Sequence, residues 1–152
     1  MLTFGQILTD ESFGFSVSDD KRAVTLTFSD FHVHVGGSKS PEPMPTRMFS
    51  LALPLEGNEE RAEIEFIVQG FIFALEGATA TLVCSVNGQT TVADFPEGAD
   101  ESVVQKLKFA AATPSEARLH VVLLLGRDSK NANAEAHLHV NSIDIEILPR
   151  PE

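Results

Sequence analysis

Residues 80–95 read ATLVCSVNGQTTVADF, two runs rich in β-branched and small residues joined by Asn87-Gly88. Asn-Gly readily takes the positive φ angles of a type I′ turn, so residues 80–86 and 89–95 are predicted to form an antiparallel hairpin. The same period-two alternation continues on both sides, in short runs rich in Val, Ile, Thr and Phe set apart by Gly, Pro, Asn and Asp. The chain is therefore expected to be all-β. Its pattern predicts a two-sheet antiparallel β-sandwich of jelly-roll type, with roughly eight to ten strands, in a single domain over residues 1–152.

Upstream of the hairpin, residues 63–76 place Ile64, Phe66 and Val68 before Gly70 and Phe71, Phe73 and Leu75 after it. That change of phase predicts a kink at the glycine. Residues 47–53 form a strand in which Phe49, Leu51, Leu53 and then Leu55 share a face, with Pro54 marking an edge or the strand's end. The segment GGSKSPEPMPT (36–46) is expected to be a surface loop, because Pro41, Pro43 and Pro45 lack amide donors. Residues 23–35 switch from Val24, Leu26 and Phe28 to Phe31, Val33 and Val35, which predicts a β-bulge near Ser29 and Asp30. The first strand is placed at 12–18, with Phe13, Phe15 and Val17 on one side.

Downstream, residues 102–109 fit either a helix or a strand and are read as a strand. Residues 118–125 are apolar on both faces, which predicts a central strand covered on both sides. The loop GRDSKNANAE (126–135) leads into 136–148. There the apolar set moves from Leu138 and Val140 to Ile143, Ile145 and Ile147, predicting another bulge near Asn141 and Ser142.

With 22 acidic and 11 basic residues the net charge is −11, which repels a phosphate backbone and an anionic membrane surface. Neither nucleic acid nor a membrane is an expected partner. Cys84 is the only cysteine, so no intramolecular disulfide forms. The opening MLTFGQILTDESF has no basic n-region or long apolar stretch, and the most apolar run, 119–125, is only seven residues long. A soluble protein is expected, cytoplasmic if the sequence is complete and extracellular if a leader has been removed.

Four of the five histidines form two H-x-H pairs, His32/His34 in FHVHV and His137/His139 in AHLHV. Residues two apart on a strand point the same way, so each pair offers two imidazoles to one partner. If Phe31, Val33 and Val35 face inward, Asp30, His32 and His34 face out together, and Glu135, His137, His139 and Asn141 do likewise. Early and late strands often lie side by side in β-sandwiches. That arrangement would gather four imidazoles and two carboxylates into a patch suited to zinc, copper or nickel. His120 would add a fifth donor if its strand were adjacent. Without the bulges, His32 and His34 would share the face of Val24, Leu26 and Phe28 and need buried partners. The plain alternative is a wet strand face that holds nothing.

The string FHVH resembles the copper-binding strand of copper-zinc superoxide dismutases, but only over four residues; residues 36–61 carry no histidine and Cys84 has no partner for that family's disulfide. Cupins also use H-x-H, followed by a glutamate that the stretch 35–39 lacks; His137 and Asn141 mimic the second cupin histidine motif without its Pro and Gly. Asp144/Glu146 and Glu63/Glu65 have the i, i+2 spacing of paired glycosidase carboxylates, about 6.6 Å between Cα atoms. They also alternate with aliphatic residues as any half-wet strand would. DFPEGADE (94–101) offers Asp94, Glu97, Asp100 and Glu101 as calcium ligands, without the spacing of an EF-hand. There is no G-x-S-x-G and no phosphate-binding glycine loop.

Carbohydrate modules usually offer Trp or Tyr to sugar faces, and here Phe or His would have to substitute, since the chain has neither. With catalytic signatures missing, the expected function is a non-catalytic binding or assembly module for a carbohydrate or protein ligand. The alternative is a histidine-ligated metal-binding protein or metal-dependent enzyme, its cofactor a divalent transition metal or calcium. Self-assembly through sheet edges into a homo-oligomer is a third expectation.

Overall fold

The alternating runs become strands. A computed structural model describes residues 2–7, 13–36, 46–57, 62–111, 115–127 and 134–148, and among these there is no helix. Eleven strands follow one another: β1 (Thr3–Phe4), β2 (Gly14–Val17), β3 (Ala23–Thr27), β4 (His32–Val35), β5 (Thr46–Glu56), β6 (Ala62–Ala74), β7 (Ala78–Val86), β8 (Gln89–Phe95), β9 (Asp100–Ala111), β10 (Ser115–Arg127) and β11 (Ala136–Ile147). They form two antiparallel sheets. One runs β1-β5-β10-β7-β8; the other runs β2-β3-β11-β6-β9, with β4 pairing β11 beyond β3. From β5 onward only β7 and β8 are neighbours both in sequence and in a sheet, and every other step crosses between sheets.

The hairpin is where the dipeptide puts it. Asn87 has φ 47° and Gly88 φ 88°, as a type I′ turn requires, and the register runs from Val86↔Gln89 to Ala80↔Phe95. Asn87 also ties the turn to β10, donating from Nδ2 to the Glu116 carbonyl at 3.0 Å and accepting the Arg118 amide at 2.7 Å.

Between the sheets lies the main apolar core, with a small second cluster of Val35, Ala74, Ala78, Ala134 and Ala136. Leu53, Leu82, Leu119 and Leu123 from one sheet meet Ile64, Phe66, Leu138 and Ile143 from the other, all essentially without solvent contact. Burial of each such side chain contributes roughly 1.5–3 kcal/mol. Phe13, Phe28, Phe31 and Phe49 close one end, with Phe49 meeting Phe13 and Phe28 edge-on at 5.1 and 5.0 Å between ring centroids.

Two phase changes decide which residues reach this core. In β11, Val140↔Gly70 precedes a register shift and Ser142↔Gln69 follows it, so Asn141 is the extra residue of a bulge. Leu138 and Val140 point inward before it, Ile143 and Ile145 after it. Facing this bulge, the bulge expected near Ser29 and Asp30 is a full break that divides β3 from β4. Phe28 donates to the Asn141 carbonyl and Val140 to the Phe31 carbonyl, each at 2.9 Å, and Ser29 and Asp30 turn out between them.

Several expectations are corrected. β6 keeps its phase through Gly70, and its inward residues are Ile64, Phe66, Val68, Gly70, Ile72 and Ala74. A bulge adds a residue to one strand only, so the kink belongs to β11, and Phe71, Phe73 and Leu75 lie on the outer side. β10 is central in its sheet, yet only one of its faces is covered: His120 and Leu124 are exposed on the other. β5 continues through Pro54 to Glu56. The first long strand shrinks to the exposed β2, where Phe15 and Val17 remain partly open to solvent because among the described residues no strand lies beyond. Residues 102–109, by contrast, are strand as expected, within β9. Eleven strands replace the expected eight to ten because 23–35 is divided and β1 adds a short strand beside β5. The proline loop between Gly36 and Thr46, and most of the loop at 126–135, lie outside the described residues.

Gly70 sits opposite the bulge, where an added Cβ would collide with the His139 carbonyl oxygen. Gly88 has nothing within 4 Å of that position and only its positive φ to lose. Gly70→Ala is expected to cost about 3 kcal/mol through overpacking and Gly88→Ala about 1 kcal/mol through left-handed backbone strain, compared by urea denaturation. Equal losses would mean that the bulge does not depend on the glycine opposite it.

Candidate functional site

β4 and β11 bring the two H-x-H pairs into register, His34 opposite His137 and His32 opposite His139. Because Val140 and Phe31 form a hydrogen-bonded pair, alternation along the ladder makes both histidine pairs non-hydrogen-bonded, the positions where facing side chains come closest. The result is a two-by-two array of imidazoles. Ring centroids are 5.6 Å apart for His32–His34, 6.0 Å for His32–His139 and 6.1 Å for His34–His137.

The carboxylates named from the sequence reach the array. Asp30 Oδ1 lies 3.0 Å from His32 Nδ1 and 3.8 Å from Arg47 Nη1, whose guanidinium carbon stands 5.8 Å from the Phe31 ring centroid. Glu135 Oε1 lies 3.2 Å from His137 Nε2. Ionised carboxylates only accept, so in each contact the imidazole nitrogen is the donor. His139 differs: its Nε2 is buried and has no hydrogen-bond partner. Burial first, and then the neighbouring His32, lower the His139 pKa below its usual 6.5, while Asp30 opposes them.

The array continues sideways onto residues that the sequence reading assigned to the core. His137 pairs with Phe73 and His139 with Phe71 of β6, and these in turn pair with Asp100 and Ser102 of β9. Phe71 is 41% exposed although it sits in an inner strand of the sheet, and the Phe73 ring lies 6.4 Å from His137. Four imidazoles and two phenyl rings thus form one aromatic tract across β4, β11 and β6. Inward-facing Gly70, Ile72 and Ala74 gave β6 two apolar faces; the bulge near Asn141, applied to β11 alone, was the signal that would have turned Phe71 and Phe73 outward.

Other candidates separate. His120 lies on the outer face of the opposite sheet, its Nδ1 2.7 Å from Ser50 Oγ beside a shallow depression of about 300 Å³, and cannot join the array. Among the described residues, no three His, Cys, Asp or Glu side chains stand close enough together to hold a metal ion. Of the calcium candidates, Asp94 accepts from Thr81 at 2.8 Å on β8, Glu97 is in the following turn, and Asp100 and Glu101 are adjacent on β9 and so point to opposite faces. Asp144 accepts from Thr25 at 2.9 Å and from Gln69 at 3.2 Å, and Glu65 lies 3.8 Å from Lys108. Cys84 is buried in the core, and desolvation pushes its thiol up to about 12, which keeps it protonated. No helix among the described residues is long and apolar enough to cross a membrane.

No protein-family model matches the sequence, and no curated protein matches it. Solved chains do match in shape. One is a structure of TmCBM61 in complex with beta-1,4-galactotriose, 10% identical, with a TM-score of 0.37 over 97% of this chain and 88% of that one.

A folded-state histidine pKa below the unfolded value means that the unfolded chain takes up the proton first as pH falls. The His139 contribution to stability is therefore complete above pH 6.5 and is lost as pH drops through the lower folded value. In an NMR titration of the imidazole protons, His139 is expected to titrate below 6.5. Its midpoint should rise in His32→Gln, which removes a positive neighbour, and fall further in Asp30→Asn. Movement the other way in either variant would contradict the electrostatics of the array.

Proposed function

We propose that this protein is a non-catalytic binding module, a β-sandwich with jelly-roll strand order, that receives a carbohydrate on the outer face of β4, β11, β6 and β9. The single observation behind this reading is the aromatic tract. A phenyl ring 41% exposed on an inner strand, continuous with four imidazoles, leaves apolar surface in water where the fold does not need it. Flat rings suit the C–H faces of a sugar, and the nitrogens of the array with Asp100 and Ser102 supply donors and acceptors for hydroxyl groups.

Non-catalytic action is supported by the state of the groups that would do chemistry. The one thiol is buried and protonated. Asp144 and Glu65 are engaged with strand neighbours on the other half of this face, away from the rings.

The test is affinity electrophoresis of untagged protein against a panel of soluble polysaccharides, run in chelator. Retardation by at least one polysaccharide is expected, weakened about tenfold in Phe71→Ala, in line with one lost ring contact. Val92→Ser, on the outer face of the opposite sheet, should bind as wild type. Absence of retardation across the panel, or an unaffected Phe71→Ala, would overturn the assignment of this face.

A further inference from the structure

We propose that the imidazole array is also a chelating site for a divalent transition-metal ion of the borderline-soft class that includes zinc, copper(II) and nickel, with His32 and His139 as its ligands. The proposal concerns only the β4–β11 end of the face and holds whether or not the face takes a sugar. Three independent features point to it. His32 and His139 are directly opposite in a non-hydrogen-bonded pair, where strands bring side chains nearest. Asp30 at His32 Nδ1 is the arrangement that carboxylates take behind metal-bound imidazoles, leaving Nε2 for the ion. His139 Nε2 is a buried nitrogen without a partner, and an ion would satisfy it.

The spacing is within reach. A zinc–nitrogen bond of about 2.0–2.1 Å puts each ring centre about 3.2 Å from the ion, so two imidazoles on a tetrahedral ion have centroids about 5.2 Å apart. His32 and His139 stand at 6.0 Å, with planes crossed at 81°. Bringing the ring centres to that spacing takes less than about 1 Å, and His32, whose side chain is 37% exposed, has room to turn a nitrogen toward His139. Rotation of His32 opens the buried His139 Nε2, and water then completes the coordination where no third ligand converges among the described residues. A chain of net charge −11 also draws cations to its surface.

Isothermal titration of untagged protein with zinc, nickel and copper(II) at pH 7.5, without any glycan, tests the proposal, with melting temperature as a second readout. Expected are saturation at one ion per chain, a rise in melting temperature with metal, and affinity reduced at least about tenfold in His32→Ala and His139→Gln. Asp30→Asn, whose exposed side chain can change without disturbing the core, should weaken binding by about tenfold. His120→Ala on the other sheet should bind as wild type. No saturable uptake, wild-type affinity in the His32, His139 or Asp30 variants, or loss of uptake in His120→Ala would each overturn it. Because polysaccharide binding is measured in chelator, failure of either proposal leaves the other standing.

Discussion

The outer surface of this sandwich depends on a backbone irregularity, the bulge at Asn141 of β11 matched by the break between β3 and β4. A β-strand has a strict period of two, so a run that starts with its apolar residues inward keeps them inward until a residue is added. β11 must bury Leu138 and Val140 and also Ile143 and Ile145, which have opposite parity. One residue, Asn141, resolves the conflict. Its carbonyl accepts the Phe28 amide, while Phe28 and Phe31 both turn in to pack against Phe49. Burial of apolar side chains on both sides of the irregularity thus fixes where it occurs, and the histidines emerge on the outer face as a consequence.

Gly70 shows how closely the two strands of this region approach. The bulged strand brings the His139 carbonyl against the position a side chain would occupy, and glycine removes the obstacle. The adjustment is absorbed by β11, leaving β6 unbroken and holding Phe71 and Phe73 beside the imidazoles. Rings from three neighbouring strands then share one face of the sheet, held by paired strands and not by loops. Carboxylates at its margin, Asp30 and Glu135, fix the hydrogen-bonding roles of two of the rings.

Much of this was legible from residue pattern. The Asn87-Gly88 turn follows from local backbone preference, and the parity changes in 23–35 and 136–148 imply irregularities near the right residues because apolar burial leaves no other solution. The outward direction of His32, His34, His137 and His139 follows from the same parity. What misled the reading was apolarity without burial. Phe71, Phe73 and Leu75 were assigned to the core because their hydrophobicity is the only local clue to burial, and Val122 and Leu124 made β10 look covered on both faces for the same reason.

The sequence by itself determined the class of structure, the position of the hairpin and the side of the strand on which the four paired histidines stand, since these rest on interactions within a few residues and on a period of two. Only the tertiary structure decided that β4 and β11 are partners, that β6 lies on the other side of β11, and that His120 is on the far sheet. Strand pairing joins residues far apart in the chain through backbone hydrogen bonds that every residue type makes alike, so side-chain identity says little about which strands will meet.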